Sequence, residues 1–149
     1  MSITYKIIEI GQVNDFASEI IELTTQELGE TRGLDVSTGI KQNQLGFVIA
    51  LDQNQLVAVG AFGRLLMHRD SWYLAFNSVA PAHRRKGIAN KITEMRIAHL
   101  EKIYGAKFIW VSSRNYWNRM EQYGFEFKFK LDTENDNHGV MLKEINGSI

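Results

Sequence analysis

Cysteine is missing from this sequence of 149 residues, proline occurs once, and the charges cancel, with 17 Lys plus Arg against 17 Asp plus Glu. Without cysteine there is no disulfide scaffold, no cysteine nucleophile and no thiolate metal site, which suits a reducing compartment. The 4 histidines show no metal-ligand spacing, so no metal is expected. A net charge of zero removes the broad basic field on which non-specific nucleic-acid binders depend. No apolar run approaches the ~20 residues needed to span a bilayer, and Tyr5, Lys6 and Glu9 interrupt the segment where a signal-peptide core would lie. The expectation is a soluble, cytoplasmic protein with no membrane partner. Walker A and Gly-x-Gly-x-x-Gly loops are also absent, which excludes two common nucleotide sites, and no Gly-x-Ser-x-Gly elbow offers a serine nucleophile.

What remains is an ordinary globular composition, 44% hydrophobic and 23% charged, at a length that suits one domain spanning residues 1–149, with no repeat, linker or low-complexity tract. Thr4 to Ile10 reads as a first strand. A helix follows, capped by Asn14 or Asp15 and carrying Phe16, Ile20, Leu23 and Leu28 towards a stop at Gly29. Glu30 to Gln44 is polar and holds Gly33 and Gly39, so it reads as a loop or short helix bordering a substrate site. Gly46 to Leu51 and Gln55 to Leu66 flank the turn residues Asp52, Gln53 and Asn54, a hairpin signal, and Trp72 to Val79 is a third strand.

Pro81 ends that strand pairing, and from Gly87 to Tyr104 the residues Ile88, Ile92, Met95, His99 and Ile103 fall on one helical face. Lys107 to Val111 suits a buried strand beside Trp72 to Val79. Tyr116 to Tyr123 forms a short helix, and Phe125, Phe127, Phe129 and Leu131 alternate with charged residues as a strand. A polar turn at Thr133 to Asn137 leads to a last strand around Val140 to Lys143, whose edge is available to pair with a second copy in a homodimer.

The informative stretch lies between a strand and a helix: Val79, Ala80, Pro81, Ala82, His83, Arg84, Arg85, Lys86, Gly87, Ile88, Ala89. At a helix start the first N–H groups lack intrahelical acceptors and the dipole is positive, while Gly87 and Ala89 let an anion approach the chain closely. Arg84, Arg85 and Lys86 add charge that suits a diphosphate. The same residues also suit an ordinary connection with a solvated basic turn.

Read as Val-x-Pro-x-x-Arg-x-x-Gly-x-Ala at Val79, Pro81, Arg84, Gly87 and Ala89, the stretch is similar to motif A of the GNAT superfamily of N-acetyltransferases. Tyr123, Gly124 and Phe125 stand where that family has a Leu-Gly-Phe-like turn. The resemblance runs nearly the whole chain in order of elements, with motif A its specific part. It implies an α/β (α+β) fold: a mixed, mostly antiparallel central sheet of about six or seven strands flanked by about four helices.

It further implies acetyl coenzyme A as acyl donor, held by backbone groups of Asn77, Ser78 and Val79 along the pantetheine and by amides from Arg85 through Lys86, Gly87, Ile88 and Ala89 to Asn90 at the diphosphate, with Arg84 beside them. A bulge near Asn77 would open the sheet towards Lys107 to Val111. In the family a neutral amine of a small molecule or protein attacks the thioester directly, and a backbone amide, here Val79, stabilises the oxyanion.

The family's usual acid, a Tyr four residues before the Gly of its Gly-Phe turn, is replaced by Met120. Tyr116, one turn earlier, is the candidate acid, with packing or capping as the competing reading. Asn115 is the displaced counterpart of the family's Asn near the preceding strand end, where Ser113 holds the expected spacing. Trp72 to Asn77 contains no Asp or Glu, so the strand base of many relatives is absent. Glu30, Asp35 and His68 are bases by location, each competing with a solvated surface role. His83 is placed in the motif loop, His99 half-buried on the helix, His138 in a turn, and Trp117 near the acceptor pocket or in the core. Two other readings stay open: an acyl coenzyme A sensor with impaired catalysis, and a nucleic-acid patch of Arg84, Arg85, Lys86, Lys91 and Arg96, against which zero net charge argues.

Overall fold

The computed structural model describes residues 2–114, 117–131 and 138–145. Its contacts group into two compact units, Met1–Gly63 with Ala75–Arg96, and Arg64–Leu74 with Ile97–Ile149.

In the first unit β1 (Ile3–Ile8) pairs antiparallel with β2 (Leu45–Asp52), which pairs antiparallel with β3 (Gln55–Arg64). Gln53 and Asn54 both carry positive φ, 51° and 65°, the two left-handed residues of a type I′ turn whose twist matches the strands it joins. β2 is buried over Leu45–Leu51, on both faces, which is why its sequence is continuous apolar rather than alternating. One cover is the first part of α3 (Ile88–Lys102): Ile88 and Ile92 lie among Val48, Ala50, Val57 and Ala58. Burying Ile92 completely is worth about 2 kcal/mol.

α1 (Ala17–Leu28) buries Ile20, Leu23 and Thr24. Its N-cap is Phe16 with no side-chain cap bond, so the expected Asn14 or Asp15 cap does not form. The polar segment expected as a loop or short helix is a full helix, α2 (Glu30–Lys41), joined to α1 through Gly29 at φ 100°. Its glycines are where it packs. A Cβ on Gly33 would collide with Thr25, and one on Gly39 would sit 2.5 Å from Leu45 Cδ1.

The second unit holds the start of β4 (Ser71–Val79), which runs parallel to β5 (Phe108–Arg114) from Ser71↔Phe108 to Leu74↔Val111. β7 (His138–Glu144) pairs antiparallel with β5 and also with β6 (Glu126–Lys130), and α4 (Trp117–Glu121) precedes β6. The seven-stranded sheet has the order β1-β2-β3-β4-β5-β7-β6. The strand around Val140 is therefore interior, and the edge expected there belongs to β6. β6 is exposed at all five positions, so its sequence alternation is not a buried face. Its ladder shifts register between Phe127 and Phe129, and a bulged edge resists pairing with another chain. The far end of α3 buries Leu100, whereas Ile103, expected on the buried face, lies past the helix end and is 63% exposed. No described helix is long and apolar enough to cross a membrane. The expected turn at Thr133 to Asn137 lies outside the described residues.

Candidate functional site

Most of the predicted site residues follow one another through the first unit. β4 does not end straight. At Phe76 the backbone enters the left-handed region, φ 53°, which a bulky side chain seldom adopts, one residue before the bulge expected at Asn77 and inside a strand that continues to Val79. Asn77 is exposed, Ser78 is 2% exposed with its hydroxyl lacking a partner among the described residues, and Val79 packs partly on the cluster under α3.

The chain is then pinned before it turns. Ala80 N–H donates to Val57 O at 2.8 Å, and Pro81–His83 make one 3-10 turn with proline at its first position, where a missing N–H costs nothing. His83 Nε2 lies 2.8 Å from Asp52 Oδ2, so the imidazole ties this turn to the end of β2. Arg84 Nε donates to Val79 O at 3.3 Å and its guanidinium pairs with the Glu27 carboxylate of α1. The Arg84 side chain thus holds the turn from behind.

Arg85 (φ 62°) and Gly87 (φ 78°) are both left-handed, and α3 begins at Ile88. Lys91 N–H makes the first intrahelical bond, to Gly87 O at 3.1 Å. Alternating left-handed residues just before a helix gather backbone N–H groups into an anion-binding concavity at the positive end of the dipole. No described atom beyond its chain neighbours stands within 4 Å of where a Gly87 Cβ would be. Arg85 and Lys86 are exposed beside it, Ile88 is buried and anchors the helix start, Ala89 is half-buried and Asn90 exposed. Left-handed residues, exposed cations and a helix start are together the features that suit a phosphate group.

Arg96 is not part of a surface patch. It is 3% exposed, with Nη1 donating to Ala61 O at 2.9 Å and to Ala75 O at 3.4 Å. With Arg84 paired to Glu27 as well, the nucleic-acid reading loses two of its five cations. The sequence signal for this burial was Gly60, an isolated glycine inside a strand, beside which Arg96 Cζ would stand 2.8 Å from a Cβ. Glu27, Asp52 and Phe76 carried no such signal.

The proposed bases sit in ordinary surroundings. Glu30 is exposed at the start of α2, Asp35 pairs with Arg32 at 3.6 Å, and His68 Nδ1 lies 2.6 Å from Ser71 Oγ with its ring edge-on to Phe108. His99 stacks edge-on against Tyr104, and Met120 is half-buried. Asn115 and Tyr116 lie outside the described residues. No group of three His, Asp or Glu able to hold a metal occurs among the described residues.

The sequence matches the family model of the acetyltransferase (GNAT) domain over residues 23–142. No curated protein matches it. Among solved structures, an acyl-CoA N-acyltransferase from Pseudomonas aeruginosa superposes with a TM-score of 0.80 at 14% identity, covering 95% of this chain and 99% of that one. NAA60 from Arabidopsis thaliana, in complex with a bisubstrate analogue, gives 0.75 at 11% identity over 99% of this chain and 100% of that one. PaiA N-acetyltransferase from Thermoplasma acidophilum, in complex with coenzyme A, gives 0.69 at 13% identity over 97% and 100%. Identities this low speak for the fold, while the family match, running from α1 into β7, speaks for the sequence. This chain belongs to the GNAT family of acetyltransferases.

Proposed function

We propose that this acetyl-CoA-dependent acyltransferase, a single domain over residues 1–149 working in the cytoplasm, transfers the acetyl group directly to a primary amine of a small molecule or protein. The observation that carries the reading is the open turn with left-handed Arg85 and Gly87 running into α3. Amides from Arg85 through Lys86, Gly87, Ile88 and Ala89 to Asn90 would hold the diphosphate, with the charges of Arg85 and Lys86 alongside and Arg84 bracing the turn. Backbone groups of Asn77, Ser78 and Val79 would line the pantetheine, joined by Asn115.

Acetyl coenzyme A supplies an acyl carbon already activated as a thioester. The chain's own task is to orient that carbonyl and favour the charge it develops. The Val79 amide is the proposed donor to the carbonyl oxygen, and its worth comes from being fixed before the reaction. The amine nitrogen bonds to the acyl carbon, the carbon–sulfur bond breaks, and the amine proton leaves to water. The departing thiolate takes a proton from Tyr116 or from solvent. A free thiol ionises near pH 8.5, so a thiolate leaves tolerably without a dedicated acid.

The test is thermal unfolding with and without acetyl coenzyme A. At ~100 times the dissociation constant, binding adds about 2.7 kcal/mol, a shift of several degrees. Gly87→Glu, which puts a carboxylate where phosphate should lie, removes that shift while the variant still melts cooperatively. An absent shift in the wild type overturns the cofactor reading. Thiol release on an amine panel then tests catalysis, and because the chain has no cysteine a thiol reagent reads coenzyme A alone. Met120 favours one alternative, an acyl coenzyme A sensor, which would bind the cofactor and release no thiol on any amine.

A further inference from the structure

Arg96 stands apart from every other cation described here because it is buried, at 3% exposure. Removing a guanidinium from water is costly unless its planar fork meets acceptors. It meets backbone: Nη1 lies 2.9 Å from Ala61 O on β3 and 3.4 Å from Ala75 O on β4, and Nη2 lies 3.2 Å from Thr93 Oγ1. The Thr93 hydroxyl in turn donates to Ala89 O at 3.0 Å in the first turn of α3.

The carbonyl of Ala75 immediately precedes Phe76, a left-handed residue, φ 53°, within β4. A left-handed bulky residue persists where its surroundings over-determine it. Arg96 is such a determinant, because it supplies donors to a carbonyl on β3 and to the β4 carbonyl next to Phe76. Room for it is made on purpose: a Cβ on Gly60 would stand 2.7 Å from Ile92 Cγ2, 2.8 Å from Arg96 Cζ and 2.9 Å from Arg96 Nε.

We propose that Arg96 is a positioning residue for acyl transfer, clamping Ala75 so that Phe76 stays left-handed and the following amides, that of Val79 above all, are aimed at the thioester oxygen. The inference rests on the reading of Val79 as the oxyanion donor. Arg96 does not touch substrate; it acts through the left-handed Phe76, three residues before the donor. Misplacing a donor by about 1 Å is enough to cost on the order of a hundredfold in rate.

The experiment follows the carbonyl itself, and so needs no acceptor. Acetyl coenzyme A labelled with carbon-13 at the acyl carbonyl is bound to the protein, and its isotope-edited infrared stretch is compared with that of the free thioester. In the wild type the bound stretch moves to lower frequency, the mark of a donated hydrogen bond. In Arg96→Met most of that shift is lost, while acetyl coenzyme A still raises the melting temperature, because the turn from Arg85 to Asn90 is untouched. Arg96→Lys, which keeps a cation and part of the reach, restores a fraction of the shift. Where Arg96→Met does not fold, Thr93→Val, which removes the acceptor that orients the fork, is read in its place and shows a partial loss. An unchanged stretch in a folded Arg96→Met or Thr93→Val variant overturns the proposal, as does a wild-type stretch that stays at its free value despite binding. A wild type that does not bind acetyl coenzyme A is a different failure, that of the cofactor site, and the melting curves show it separately.

Discussion

At Gly87 the backbone sits at φ 78° with open space where a side chain would project, so substitution there is opposed by backbone strain and not by collision. Alanine in the left-handed region costs about 1–2 kcal/mol. Gly87→Ala is therefore expected to lower the melting temperature by several degrees and also to shrink the rise given by acetyl coenzyme A, since relaxing the φ swings the neighbouring amides. Gly29 is the control: its φ is 100°, no described atom beyond its chain neighbours lies within 4 Å of its Cβ position, and it joins α1 to α2 outside motif A. At ψ 168° Gly29 lies in a region that essentially only glycine adopts, so Gly29→Ala should destabilise at least as much while leaving the cofactor response intact. Melting curves of both variants with and without the cofactor decide it; equal loss of response in both would mean that Gly87 has no particular tie to the phosphates. The glycine, the alanine and the basic run were legible because motif A is contiguous. Their supports were not, because Glu27 and Asp52 stand 57 and 31 residues from the side chains they hold, and nothing local marks either one.

Among the elements, β2, β3, β4 and α3 were read close to their observed bounds. For α3, burial on one face imposes a helical period, while β2 and β3, strands buried on both faces, are continuous apolar runs bounded by turn residues. α2 escaped because its face is made of Gly33, Val36 and Gly39, residues that look like a loop when packing is unknown. β6 misled in the opposite direction, its alternation belonging to an exposed edge. The α2 case makes a prediction whose sign separates packing from propensity. On propensity alone, Gly33→Ala should stabilise the helix by nearly 1 kcal/mol. The Cβ, however, would run into Thr25, whose hydroxyl is already committed to Ile21 O at 2.7 Å. Overpacking of this kind costs about 1–3 kcal/mol, so the net effect should be destabilising. Urea denaturation of Gly33→Ala reads it directly, and a variant more stable than the wild type would mean that α1 and α2 can separate at no cost.

Across the whole molecule, two phenols among the described residues have their ionisation tied to folding. Burial raises the pKa of Tyr73, opposite Trp110 in the β4–β5 pair, and of Tyr5 on β1 above the ordinary tyrosine value of 10.0. For a tyrosine the charged form is the deprotonated one, so desolvation favours the neutral phenol in the fold, and the unfolded chain loses its protons first. Their contribution to stability is complete below pH 10 and declines as the pH rises past the unfolded value towards the raised folded ones. Native protein should then show part of its phenolate absorbance appearing later than in denaturant, and stability should fall across that alkaline window. Tyr73→Phe removes one of the two groups, so it should delete one delayed step and make the decline shallower. A Tyr73→Phe variant that loses an ordinary step and keeps all the delayed absorbance would assign the delayed phenolate elsewhere and leave Tyr73 as solvated as the unfolded chain.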